Sequence, residues 1–226
     1  MALSVRSNPT AAYARNALVR SQRELSDVMA SLSTGRRVNV ASDDPTTMAT
    51  SVVMEHRMNS QEVAFRNAQS GVALLQTAEG GLQSIVGMLD RMRVLAVRAA
   101  TEPPTGADRV AANIEFQALK SEINRVAQST DYNGKTVLAA SLVITFQVGV
   151  ERNQLHRIEL TINHSARSSS IALGGALVSD RVVALDAIDS VESALSIVLA
   201  HRAQIGSAQA RLEMAITNIE ASQEHT

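Results

Sequence analysis

Cysteine and tryptophan are missing from this chain of 226 residues, and three phenylalanines and two tyrosines are its only aromatic side chains. Without cysteine there can be no disulfide, no thiolate metal site and no cysteine nucleophile. With rings at 2%, a compact enzyme interior of this size would lack its usual bulky filling. Hydrophobic residues still make up 45%, and Ala, Leu, Val, Ile and Met are enough to pack a thin helical bundle. An excess of either charge is missing as well. Against 22 acidic residues stand 21 basic ones, a net charge of −1, so no overall field draws the chain to nucleic acid or to an anionic membrane. Lysine is confined to Lys120 and Lys135, and the arginines (Arg15, Arg20, Arg23, Arg36, Arg37) are scattered along helical stretches. Those arginines are read as solvated or interhelical partners. No apolar run approaches the length of a membrane span. The N-terminal stretch also lacks the uninterrupted apolar segment of a signal peptide, so an extracellular destination would need another export route.

What the chain has is helical periodicity at both ends. From about Asn8 to Leu32, Ala11, Ala14, Leu18, Ser21, Leu25, Val28 and Leu32 alternate three- and four-residue steps, a heptad seam that needs a partner helix. Ser33-Thr34-Gly35 is a helix stop, and Ser42-Asp43-Asp44-Pro45 a new start with proline in the first turn. Thr46 to Ala100 reads as one long helix with Phe65, Ala68, Val72, Leu75, Leu82, Ile85, Leu89, Met92 and Ala96 as its buried stripe. Gly80-Gly81 inside it marks either a kink or a close helix approach, the second being favoured. After the break at residues 101–106, a third helix over about Ala107 to Ser129 carries Ala112, Phe116, Leu119, Ile123 and Val126. The last helix, from about Asp180, carries the longest seam: Ile188, Val191, Leu195, Val198, Arg202, Ile205, Gln209, Leu212, Ile216 and Ile219.

In the middle the period changes to two. Leu142, Ile144, Phe146 and Val148 alternate with more polar neighbours, and His156, Ile158, Leu160 and Ile162 do the same, predicting a β-hairpin around residues 151–154. Asn163 to Asp180 is rich in Ser and Gly and is expected to be a surface excursion. The expected fold is therefore mainly α: an elongated antiparallel helical bundle or coiled-coil rod with a small β-hairpin. Its parts are an N-terminal assembly arm (1–42), N-terminal rod helices (43–140), the hairpin and excursion (141–180) and a returning rod helix (181–226).

No catalytic or metal constellation emerges. The histidines His56, His156, His164, His201 and His225 have no ligand spacing and are read as surface or partly buried structural residues. Gly80-Gly81 and Gly174-Gly175 lack the strand–turn–helix setting of a phosphate loop. Asp43-Asp44, at a helix start, are read as capping residues, and Asn163-His164-Ser165 matches a glycan acceptor pattern that is common by chance. No cofactor is expected.

Several local strings, taken in order, are similar to bacterial flagellins. These are Leu32-Ser33-Thr34-Gly35-Arg36-Arg37-Val38-Asn39 with Ser42-Asp43-Asp44, Asn67-Ala68-Gln69-Ser70-Gly71 with Gln76-Thr77-Ala78-Glu79-Gly80, and Arg91-Met92-Arg93-Val94-Leu95-Ala96-Val97. Asp131-Tyr132-Asn133-Gly134-Lys135-Thr136-Val137-Leu138, Phe146-Gln147-Val148-Gly149, the stretch from Ile205 to Leu212 and Ala215-Ile216-Thr217-Asn218 continue the likeness. The resemblance implies a self-assembling, secreted subunit of the extracellular flagellar filament, a helical homo-polymer serving motility. It further implies passage through the flagellar export apparatus with a chaperone, and contacts with cap and hook-associated proteins. The seam residues proposed for assembly are Leu18, Leu25, Val28, Leu32, Ile188, Val191, Leu195, Val198, Ile205, Leu212 and Ile216.

The resemblance also implies that Arg91, Leu95 and Glu115 match a pattern recognised by an innate-immune Toll-like receptor, with Val94 standing where the pattern has Glu. Lateral filament contact is the competing role for the same three. Flagellins usually continue into a further C-terminal helix that packs on the N-terminal arm. With the sequence stopping at Thr226, that helix is expected to be missing. The nearest rival is the hook–filament junction protein. A rival of another class is an enzyme or adhesin using Ser168-Ser169-Ser170, which lacks catalytic partners.

Overall fold

A computed structural model describes residues 9–102, 105–162 and 165–224. Four helices dominate: α1 (Pro9–Thr34), α2 (Pro45–Ala100), α3 (Gly106–Ser129) and α4 (Arg181–Glu224). Between α3 and α4 lie two antiparallel hairpins. The first pairs β1 (Asp131–Tyr132) with β2 (Lys135–Thr136), and the second pairs β3 (Leu142–Gln147) with β4 (Arg157–Ile162). The chain divides into two compact units, Met1–Arg57 and Met58–Thr226.

In the larger unit, α2 and α4 run antiparallel. Polar cross-links show it: Gln61 to Ser222 at 2.8 Å, Glu79 to Arg202 at 2.7 Å, Arg93 to Glu192 at 2.8 Å, and Glu102 to Arg181 at 3.0 Å. Numbers rise on one helix as they fall on the other, so one register holds along the whole pairing. Between these links sits a heptad seam. On α2 it is Ala64, Ala68, Gly71, Leu75, Ala78, Leu82, Ile85, Leu89, Met92, Ala96 and Ala99; on α4 it is Ala184, Ala187, Val191, Ala194, Val198, His201, Ile205, Ala208, Leu212 and Ile219. Large residues meet small ones across it. Leu212 packs over Gly71, where an added Cβ would lie 3.0 Å from its Cδ1. Close packing of this kind needs few rings.

Helix α3 starts at a capping box: the Thr105 hydroxyl accepts from the Asp108 amide, and the Asp108 carboxylate accepts from the Thr105 amide. It runs back along α2, joined by Arg91 to Glu115 at 2.7 Å and by Arg109, which donates to the Ala99 and Thr101 carbonyls at the end of α2. The first hairpin turns through Asn133 and Gly134 at φ +51° and +75°, the left-handed pair that a two-residue turn demands. In the second, Phe146 pairs with Ile158 and Ile144 with Leu160. Phe146, Ile158 and Leu160 are buried, and the Phe146 ring fills the notch left by Gly71.

Residues 165–180 do not form the expected surface excursion. Ile171, Leu173 and Val178 are fully buried, with Ala166 and Ser168 beside them. Their backbone is held by a polar stripe on α3. Asn124 accepts from the Ser168 amide at 3.0 Å and Asn113 from that of Val178 at 3.1 Å; Lys120 donates to the Gly174 carbonyl at 2.6 Å and Gln117 to that of Ala176 at 3.0 Å. Small residues let this irregular strap lie close to the helices, while side-chain partners satisfy backbone groups that burial would otherwise orphan.

The adjacent glycines Gly80 and Gly81 differ in kind. A Cβ at Gly81 would stand 2.7 Å from Leu138 and 2.8 Å from the Thr130 hydroxyl, whereas one at Gly80 meets nothing within 4 Å. Close approach, not a kink, explains Gly81; α2 continues through both. Gly80→Ala is therefore expected to stabilise the chain by about 0.5–1 kcal/mol, and Gly81→Ala to destabilise it by about 1–3 kcal/mol. Chemical denaturation of the two variants checks the opposite signs.

Candidate assembly surface

Helix α1 has a seam and nothing within its own unit to cover it. No residue of α1 is buried. Leu18, Leu25, Val28 and Leu32 are 60%, 62%, 63% and 84% exposed, and Tyr13 and Met29 widen the same apolar surface. A helix with this pattern gains its stability from burying the apolar face, so α1 is built to meet a partner. It ends where Gly35 takes φ +66°. Asp44 then caps α2, accepting from the Thr46 and Thr47 amides at 3.0 and 3.1 Å, with Pro45 in the first turn. Hydrogen bonds from Thr47 hold the Asp44 carboxyl below its ordinary pKa, and those from Thr105 do the same for Asp108.

The α4 seam lies one residue from where sequence periodicity put its second row. Val191, Val198, Ile205, Leu212 and Ile219 are buried as expected. Between them the central positions are Ala187, Ala194, His201 and Ala208, whereas Ile188, Leu195, Arg202, Gln209 and Ile216 flank the seam half-buried. Because of this shift, Arg202 and Gln209 lie on the flank and do not interrupt the buried row. From the flank, the Arg202 guanidinium reaches Glu79 at 2.6 Å. In this chain the α4 seam is spent on α2 and is not a free surface.

Arg91, Leu95 and Glu115 come together at the α2–α3 junction, but not as three surface groups. Arg91 and Glu115 form an exposed ion pair that raises the arginine pKa and lowers that of the carboxylate. Leu95 is only 4% exposed, because it points from α2 into the core. The outward apolar groups nearby in sequence are Val94 and Val97 on α2 and Val110 and Ile114 on α3. Among the described residues, no group of three or more His, Asp or Glu converges as a metal site would. No helix among them is long and apolar enough to cross a membrane.

A family model described as the bacterial flagellin N-terminal helical region matches residues 5–142. A flagellin of Halalkalibacterium halodurans is 35% identical over 199 residues, 87% of this chain and 72% of that protein. The chain belongs to the bacterial flagellin family. Flagellin E of Vibrio cholerae is 34% identical over 176 residues, and this chain spans 46% of its length. Among solved structures, Bacillus cereus flagellin superposes with a TM-score of 0.58 at 27% identity, covering 68% of this chain and 88% of that one. A putative flagellar hook-associated protein from Vibrio parahaemolyticus gives a TM-score of 0.68 at 15% identity, covering 82% and 96%. At that identity the second likeness shows a shared fold alone. The sequence relatives favour the filament subunit over the hook-associated alternative. The family's role is structural.

Two expectations follow from the buried and exposed seams and from the caps. Ile205→Ala should cost about 2–5 kcal/mol, and Leu32→Ala should stay within about 0.5 kcal/mol, as read by thermal or denaturant unfolding. Carboxylates with lowered pKa values stabilise the fold fully above the unfolded value, and that contribution is lost as pH falls through the lowered one. Below about pH 4 the chain should therefore lose melting temperature faster than Asp44→Asn/Asp108→Asn, which keeps both caps without the titration.

Proposed function

We propose that this flagellin assembles through the exposed face of α1, with Leu18, Leu25, Val28 and Leu32 burying their side chains against neighbouring copies in a helical filament outside the cell. The carrying observation is that the heptad face of a 26-residue helix has no buried member, while the same periodicity on α2 and α4 is buried throughout the larger unit. Identical subunits meeting head to tail with a rotation that does not close give an open polymer. In this reading residues 1–42 are the assembly arm, residues 43–140 and 181–226 supply the rod helices, and residues 141–180 brace them. Ile188, Val191, Leu195, Val198, Ile205, Leu212 and Ile216 serve assembly indirectly, by holding the larger unit together. Export through the flagellar apparatus with a chaperone, and contacts with cap and hook-associated proteins, belong to the same reading. It is supported by family membership and by a chain without cysteine to crosslink in transit.

The exposed Arg91–Glu115 pair is proposed as a contact either with a lateral neighbour or with a Toll-like receptor. Leu95 supports that surface from beneath. Arg91→Ala should weaken filament formation in the first case and receptor binding in the second; no change in either assay removes the pair from function. For the arm, Leu25→Ser/Leu32→Ser should abolish sedimentable polymer and leave the melting of residues 58–226 unchanged. Polymer formed at the parent's yield would overturn the assembly role of α1.

A further inference from the structure

Among the described residues three polar side chains are buried, Ser165, Ser168 and His201, and of these His201 alone takes up a proton near neutral pH. It is 5% exposed and occupies the central row of α4, with Val198 before it and Ile205 after it on the same face. The bond between Glu79 and Arg202 sets the register that puts His201 opposite the stretch of α2 around Ala78 and Leu82, both fully buried. The other described histidines differ: His56 is exposed and His156 half-buried. A neutral imidazole offers one N–H and one lone pair, so it can sit in such a seam as a polar side chain of medium size. The imidazolium brings a full charge and a second N–H, and burial penalises both.

Little among the described residues offsets that charge. From Asn67 to Leu89 on α2 the only ionisable residue is Glu79, and from Ser193 to Ala210 on α4 the only one besides His201 is Arg202. These two are bonded to each other at 2.6 Å, so Glu79 is already neutralised and Arg202 adds a like charge nearby. On α3, Glu122 pairs with Arg125, and Lys120 donates to the Gly174 carbonyl. On the hairpins and the strap, Asp131, Lys135, Arg157, Glu159 and Arg167 are exposed, and Tyr132 is half-buried. We infer that His201 makes the pairing of α2 with α4 acid-sensitive: neutral, it completes the seam, and protonated, it loosens the subunit at that level. The switch lies inside one subunit and does not depend on how copies meet.

An unfolded chain protonates its histidines near about pH 6.5, whereas the folded seam resists the same proton. The stability that neutral His201 supplies is therefore complete above about pH 6.5 and is lost as pH falls below it. The caps at Asp44 and Asp108 stay ionised through this range, since their carboxyls are held below the ordinary carboxylate value. In thermal melting of the full chain from about pH 7.5 to about pH 5, the parent should lose about 3–5 °C per pH unit more than His201→Gln. Glutamine keeps a donor and an acceptor and cannot titrate. Parallel pH profiles for parent and variant would overturn the switch. The ring resonances of His201 in the folded parent test it without any substitution. They should be those of neutral imidazole at about pH 5.5, where a histidine in water is about 90% protonated. A charged ring at that pH overturns the switch as well.

Discussion

The antiparallel seam between α2 and α4 is the constraint on which the larger unit depends. Alanine and glycine on one helix face leucine, isoleucine, valine or phenylalanine from elsewhere, so the helices approach closely and leave little space for rings. The poverty of aromatics is then a consequence of the seam, not a shortage. Gly71 and Gly81 show the rule at its limit, one receiving Phe146 and Leu212, the other Leu138 and Thr130. The second hairpin and the strap at residues 165–180 fill the side of the bundle that two helices cannot cover.

Much of this was legible. The helices α1 to α4 begin and end within a residue or two of the positions that their caps and breakers indicate. Pro45, Gly106 and the turn at Asn133-Gly134 are local signals whose physics does not depend on the rest of the fold. The hairpin register follows from a period of two because one face is buried. What periodicity could not supply was the middle of the seam. The central row on α4 is mostly alanine, so the bulkier residues one position later, on the half-buried flank, give the stronger periodic signal. His201 sits in that central row, where histidine is not an expected choice. The strap hides its burial for a related reason. Serine and glycine suggest a solvated loop, and the sign of its burial lay elsewhere, in Asn113, Gln117, Lys120 and Asn124, spaced along one face of α3. Nor does the sequence mark a boundary at Arg57, because α2 passes through it without a break.

A heptad pattern identifies a face without saying what covers it. On α4 the pattern is consumed within the unit, and on α1 it stays open. That difference divides the chain into a part that folds on its own contacts and a part whose apolar surface awaits others. The division suits a structural family whose members must be discrete molecules before they become a polymer.

Arginine supplies the cross-links that keep these faces aligned. Seven of the eight ion pairs among the described residues use arginine, and most are well exposed. Exposed pairs add little stability, so their number is poor evidence for a stabilising role. Their placement is more informative. Glu79–Arg202 and Arg93–Glu192 join α2 to α4, Glu102–Arg181 joins the turn just after α2 to the start of α4 in the same register, and Arg91–Glu115 ties α3 to α2. A slip of one heptad would leave much of the aliphatic seam matched and would break every one of these pairs. The planar guanidinium makes directional bonds that a lysine ammonium does not. In a bundle cored mainly by small and aliphatic residues, directional pairs at the rim add to the register that large-against-small matching in the core already favours.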